Sequence, residues 1–190
     1  MTTVDRIVDE ARSLIMVRGY NGFSYADIAA TVGVSKANVH HHFAAKSDLA
    51  TAVVEGSRAG IRAQVERLAE SELDAAEQLR AYAHYWERCI LDGSAPFCIA
   101  AVLAAELPSL PDDVAAAVTA FFADLRGWLT QILVLGLRQG NVTLVGTPEE
   151  EAEAFLSAVY GAMLSARAFR DPHRFAVIVE TLLSRVVPFR

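Results

Sequence analysis

An all-α fold is what this sequence predicts, and three observations carry the prediction. Apolar residues recur at helical spacing through segment after segment, while the strict alternation of a half-buried strand persists nowhere. Helix start and stop signals punctuate the chain: Ser, Thr or Asp before a periodic run, Gly or Pro after it. The composition, 53% hydrophobic and 21% charged over 190 residues, supplies a real core and argues against disorder.

The elements follow in order. Residues 4–18 place Ile7, Val8, Ala11, Leu14 and Ile15 on one stripe, and Gly19 ends the run. Ser24-Tyr25-Ala26-Asp27 fits a capping box that opens a short helix to about Thr31. Val32-Gly33-Val34 reads as a tight turn, and Ser35 as the N-cap of a helix through Phe43. Ala44-Ala45-Lys46-Ser47 breaks that helix and caps the next, expected from Ser47 to about Ala69. One longer helix spans Ala75 to Leu91 and stops at Asp92-Gly93; another runs from near Phe97 to Pro108. Pro111 begins a third, with Asp112 and Asp113 where the helix dipole favours acids, ending at Gly140. Thr147-Pro148-Glu149-Glu150 starts a fourth, and Asp171-Pro172 a fifth that ends before Pro188. That makes about nine helices, with no tandem repeat and no low-complexity linker.

Composition narrows the function classes. The first ten residues carry charge at helical spacing and lack the apolar centre of a signal peptide. Phe97–Leu107 and Trp128–Leu137 are too short or too interrupted to span a bilayer, so no membrane partner is expected. Cys89 and Cys98 make no disulfide framework, and a cytoplasmic protein is expected. No G-x-S-x-G, P-loop, G-x-G-x-x-G or H-E-x-x-H is present, so neither an enzyme nor a cofactor is expected. The net charge of −6 speaks against nucleic acid, but its distribution reverses the inference. Residues 1–48 hold five Lys/Arg and five Asp/Glu, and residues 49–190 carry the whole deficit. The only two lysines, Lys36 and Lys46, flank His40-His41-His42, and no acid occurs between Asp27 and Asp48. A cationic patch on an acidic body suits a DNA-binding module.

Segments 24–31 and 35–43, joined by a glycine turn, form a helix-turn-helix pattern. The three histidines do not suit a metal. Consecutive helical residues are rotated by about 100° each, so they splay around the axis. No Cys, Asp or Glu follows at the i+4 spacing that a helical zinc site wants.

The stretch GYNGFSYADIAATVGVSKANVHHHFAAKSDL, residues 19–49, resembles the N-terminal domain of the TetR/AcrR family of bacterial transcriptional regulators. Gly19-Tyr20, Asp27-Ile28-Ala29, Gly33-Val34-Ser35-Lys36, Phe43 and Lys46 fall in register with that family. The resemblance implies a three-helix DNA-binding domain over 1–48 and a helical ligand-binding and dimerisation domain over 49–190. Under it, Ser35 and the free N–H groups of the helix start meet phosphate. Lys36, Ala37 and Asn38 enter the major groove, where Asn pairs with adenine and Ala touches a thymine methyl. His40 and His41 continue that surface, and His42, like His40, falls where the family faces phosphate or groove. Val39 and Phe43 point into the core, and Lys46 and Tyr25 clamp the DNA backbone. Asp27 and Ile28 have structural duties, as a cap and a core residue.

The resemblance also implies a ligand pocket among helices 75–91, 97–107, 111–139 and 148–168. Candidate lining residues for an unknown small-molecule inducer are Tyr82, Trp86, Cys98, Phe121, Trp128 and Tyr160, and the polar edges of the two tyrosines and two tryptophans can orient it. His84 is either a polar anchor or a surface residue. Ala154–Ala166 carries no charge, so it needs cover on all sides. Ala158, Gly161, Ala162 and Ser165 permit close approach of another helix, and Phe175, Ile178 and Leu182 add apolar surface from the last helix. A four-helix homodimer interface is what the family implies, and two readers would match a palindromic operator. A repressor released by a small molecule is the expectation. The alternatives are an activator on the same scaffold, and a thiol-based electrophile or oxidant sensor through Cys98, placed at a helix start.

Overall fold

The computed structural model describes residues 1–187; the proline expected to stop the last helix, Pro188, lies outside them. Among the described residues there are nine α-helices, one 3-10 turn and no strand. The helices are α1 (Thr3–Arg18), α2 (Tyr25–Val32), α3 (Lys36–His42), α4 (Lys46–Ala69), α5 (Ala75–Leu91), α6 (Ile99–Ala105), α7 (Asp112–Gln139), α8 (Pro148–Phe169) and α9 (His173–Val186).

The caps explain the boundaries. Thr2, Ser24, Asp74 and Thr147 each open a helix with a reciprocal capping box, completed by Asp5, Asp27, Glu77 and Glu150. Two expectations need correction. α4 begins at Lys46 rather than Ser47, and the carboxylate of Asp48 accepts the Ala45 N–H at 2.8 Å. The helix expected from Phe97 to Pro108 is only Ile99–Ala105, followed by the 3-10 turn Leu107–Ser109. Pro108 brings no N–H to continue an α-helical ladder, so the chain tightens there.

The chain divides into two compact units. The first comprises Met1–Ile61 and Cys98–Phe122, the second Arg62–Phe97 and Ala123 to the chain's end. Position 48/49 lies inside the continuous helix α4, and α6 groups with the N-terminal helices. In the first unit α1 packs on α2 and α6, and α2 on α3, around fully buried Ile7, Ile15, Ile28, Leu49 and Leu103. In the second, α9 packs on α5 and α8, with Leu79, Tyr82, Phe155 and Phe175 wholly inside. Gly136 on α7 is required by its neighbour, because a β-carbon there would lie 2.4 Å from Val142 Cγ2.

α7 is the one described helix long and apolar enough to cross a membrane by length and composition, which the sequence reading had not anticipated. Its Val118, Phe121, Leu125, Leu129 and Leu133 are buried within the fold.

Candidate nucleic-acid interface

The helix-turn-helix is built by three local devices. Ser24 caps α2, Gly33 ends it in the left-handed region at φ 74°, and Ser35 caps α3 by accepting the Asn38 N–H at 3.1 Å. Gly33 has no β-carbon to clash in that conformation, so α2 and α3 join through the shortest of turns. Ile28, Val32 and Val39 are buried and hold the two helices together. Phe43 is only half-buried and serves as the C-cap of α3, so it joins the core less fully than its spacing suggested.

This packing leaves one face of α3 in solvent. Ser35, Lys36, Ala37, His40, His41 and His42 are exposed, and Asn38 is half-buried with its Oδ1 lacking a partner among the described residues. Ser35's cap bond uses an oxygen lone pair and leaves the hydroxyl proton uncommitted. The histidines splay as their rotation requires. The His40 ring meets Tyr25 edge-on at 4.6 Å, whereas His41 and His42 face each other at 5.3 Å. Among the described residues no three His, Cys, Asp or Glu side chains could hold one metal ion.

Tyr25 and Lys46 hold the reader together rather than projecting from it. Tyr25 is 5% exposed, and its hydroxyl donates to the Phe43 carbonyl at 3.1 Å. Its single proton is thereby committed inside the chain, and in this conformation none is left for a phosphate. Burial, with the Asp48 carboxylate and Tyr20 nearby, pushes its pKa up to about 12. The half-buried Lys46 ammonium donates to the Phe23 carbonyl at 2.5 Å and lies over the rings of Phe23 and Tyr20, at 4.2 and 4.8 Å. Burial lowers its pKa, partly offset by Asp27 and Glu106.

Glu106, an isolated acid in the sequence, finds its partner only in the fold. Its carboxylate, at the end of α6, accepts the Tyr20 N–H with both oxygens, at 3.2 and 3.1 Å. Asn21 Nδ2 adds a 3.3 Å bond to Ser109 Oγ. The loop between α1 and α2 is thus tied to the α6 end of the same unit. The partners are 86 residues apart, and no local pattern announces them.

The candidates for ligand and dimer contacts sort by burial. Tyr82, Trp86, Cys98, Phe121 and Trp128 are buried, and Tyr160 is half-buried. Cys98 and Phe121 belong to the first unit; the other four belong to the second. Tyr82 and Trp128 meet at 5.2 Å between ring centroids. His84 is on the surface, 3.3 Å from Glu180. Of the proposed pairing residues, Ala162 and Phe175 are fully buried within their own chain. Ala158, Ser165, Ile178 and Leu182 are half-buried, and Gly161 is exposed. Leu164 and Val177, 59% and 68% exposed, are apolar positions that the sequence reading passed over. The signal was available: Ser157, Gly161, Leu164 and Ala168 form one helical stripe of α8, opposite the stripe its own core buries.

Comparison with known proteins agrees with this geometry. A family model described as "Bacterial regulatory proteins, tetR family" matches residues 7–53, which span α1 to α3 and the start of α4. The solved structure of a TetR-family transcriptional regulator from Agrobacterium tumefaciens is 46% identical, covers 97% of both chains and superposes with a TM-score of 0.94. The repressor NemR of Escherichia coli K12 is 24% identical over 171 residues, 89% of this chain and 86% of that protein. The structure of E. coli NemR in its reduced form gives a TM-score of 0.85 at 20% identity over the full length of both chains. By its reader, its all-helical fold and its 46% identity to a solved member, the chain belongs to the TetR family of transcriptional regulators.

Proposed function

We propose that this regulator is a homodimeric, cytoplasmic repressor that binds a palindromic operator through residues 1–48 and is released by a small molecule bound within residues 49–190. The observation that carries the reading is the exposed face of α3. A capped helix presents Lys36, Ala37, Asn38 and three histidines in a stretch free of acids on an otherwise acidic chain. Phosphates of the DNA backbone would be met by Lys36, the Ser35 hydroxyl and His42. Base edges in the major groove would be read by Ala37, Asn38, His40 and His41. Tyr25 and Lys46 set the position of α3, and Lys46 keeps ammonium protons free for a phosphate beyond the one given to Phe23.

Dimerisation through α8 and α9 supplies the second reader. Gly161, Leu164 and Val177 would be central, with Ala158, Ser165, Ile178 and Leu182 beside them, while Ala162 and Phe175 support the helices from within. Two readers about 34–36 Å apart match successive major grooves, and a ligand that favours another spacing lowers operator affinity. Repression is supported by the curated relative NemR, whose name states that sign. The chain works by binding rather than turnover.

The test is fluorescence anisotropy with DNA fragments from the chain's own upstream region, across a salt series. Operator-selective binding that weakens linearly in log–log salt supports the reading. Binding that ignores sequence or salt refutes it. Transcription that rises on binding in a reconstituted promoter assay makes the protein an activator.

A further inference from the structure

Resting on the reading that the helical body answers to a small molecule, we propose the class of that molecule. It is an uncharged, ring-bearing compound whose carbonyl oxygen accepts hydrogen bonds from the indole N–H groups of Trp86 and Trp128. Both tryptophans lie in the second compact unit, 4% and 7% exposed. Neither indole nitrogen has an acceptor among the described residues. A buried indole N–H ordinarily finds a partner, because leaving the donor unmet forfeits the bond it had with water.

The surroundings define what can satisfy them. Trp86 follows Tyr82 by one turn on the buried stripe of α5, and Tyr82 packs at 5.2 Å against Trp128 of α7. The donors therefore adjoin an aromatic surface that suits a flat ring. Charge is disfavoured by the make-up of the buried interior. The buried polar residues among those described are Gln78 and Asn141, both neutral, so a carboxylate or ammonium would enter without a counter-charge. A hydrocarbon would fill space but leave both N–H groups unmet. A ketone or ester oxygen has two lone pairs and no charge, which answers both conditions.

Trp86 and Trp128 are the only tryptophans in the chain, so indole-15N labelling reports on this place alone. The probes are 2-acetylnaphthalene, its hydrocarbon counterpart 2-isopropylnaphthalene, and 2-naphthoate, titrated into the intact protein. The expected result is saturable binding of the ketone, downfield movement of both indole N–H signals, and a preference over the hydrocarbon of at least about fivefold. 2-Naphthoate should bind more weakly than either. Trp86→Phe and Trp128→Phe should each reduce the ketone preference while hydrocarbon binding persists. The proposal is overturned if the ketone shows no saturable binding, if the hydrocarbon binds equally well, if the indole signals stay still at saturation, or if 2-naphthoate binds best. Operator binding measured on the same samples separates the two readings. Ketone binding with shifted indoles and unchanged operator affinity upholds the ligand chemistry and removes its regulatory role.

Discussion

Gly19→Ala isolates the contact that ties the reader's first loop to α6. Gly19 has φ 73° and ψ 179°, a backbone conformation open almost only to glycine. Holding alanine there costs about 1–3 kcal/mol. The new β-carbon would also fall 1.9 Å from Glu106 Oε1, so the carboxylate must leave. Its departure removes the charge-assisted bond to the Tyr20 N–H, worth about 1.5–3 kcal/mol at full strength and less here because Glu106 is half-exposed. The overlap itself adds little, since the end of a glutamate side chain can swing aside. The single variant should therefore lose about 2–5 kcal/mol. Glu106→Ala removes the bond without the backbone strain and should lose about 1–2 kcal/mol. In the double variant the bond is lost only once, so the combined cost should fall short of the sum by about 1–2 kcal/mol. Urea unfolding followed by circular dichroism at one fixed protomer concentration measures all four proteins, because the proposed dimer would link stability to concentration. A Gly19→Ala protein within about 0.5 kcal/mol of the parent, or a strictly additive cycle, would refute the reasoning.

Lys36→Ala should leave the melting temperature unchanged and lower the log–log salt slope of DNA binding by roughly 1 per half-site. Lys46→Ala should also destabilise the protein by about 1–2 kcal/mol through the lost Phe23 bond and ring contacts, so equal melting temperatures would contradict the observed clamp. Tyr25, with a folded pKa of about 12 against 10 unfolded, contributes its full stability below pH 10. Between pH 10 and 12 the unfolded tyrosine loses its proton while the folded one keeps it, so stability falls by about 2–3 kcal/mol. Alkaline unfolding of Tyr25→Phe should lack that component. Gly161→Glu should give a folded monomer by light scattering, since the added side chain meets open space in its own chain but places a charge in the proposed interface. Cys98, 3% exposed, should alkylate more slowly than a peptide thiol, and Cys98→Ser should respond to ligand normally; fast alkylation and a deaf variant would favour the thiol-sensor alternative.

Features governed by neighbours within a turn or two could be read from the sequence. Ser24 with Asp27, Ser35 with Asn38, and Gly33 between them act over three or four residues, so the helix-turn-helix and the exposed face of α3 were legible from their spacing. The N-cap at Thr147 and the dipole-favoured acids of α7 were legible for the same reason. Tertiary structure alone decided which of several plausible faces each helix buries. Ala162 and Gly161 adjoin in an uncharged segment, yet one is sealed inside its own chain and the other is open, because α9 covers only one side of α8. Tertiary structure also turned Tyr25 and Lys46 inward and brought Glu106 to the Tyr20 N–H across 86 residues. A cap declares itself in sequence because its partner is covalently close; a carboxylate that caps a distant loop carries no such mark, since only the folded chain makes the two neighbours.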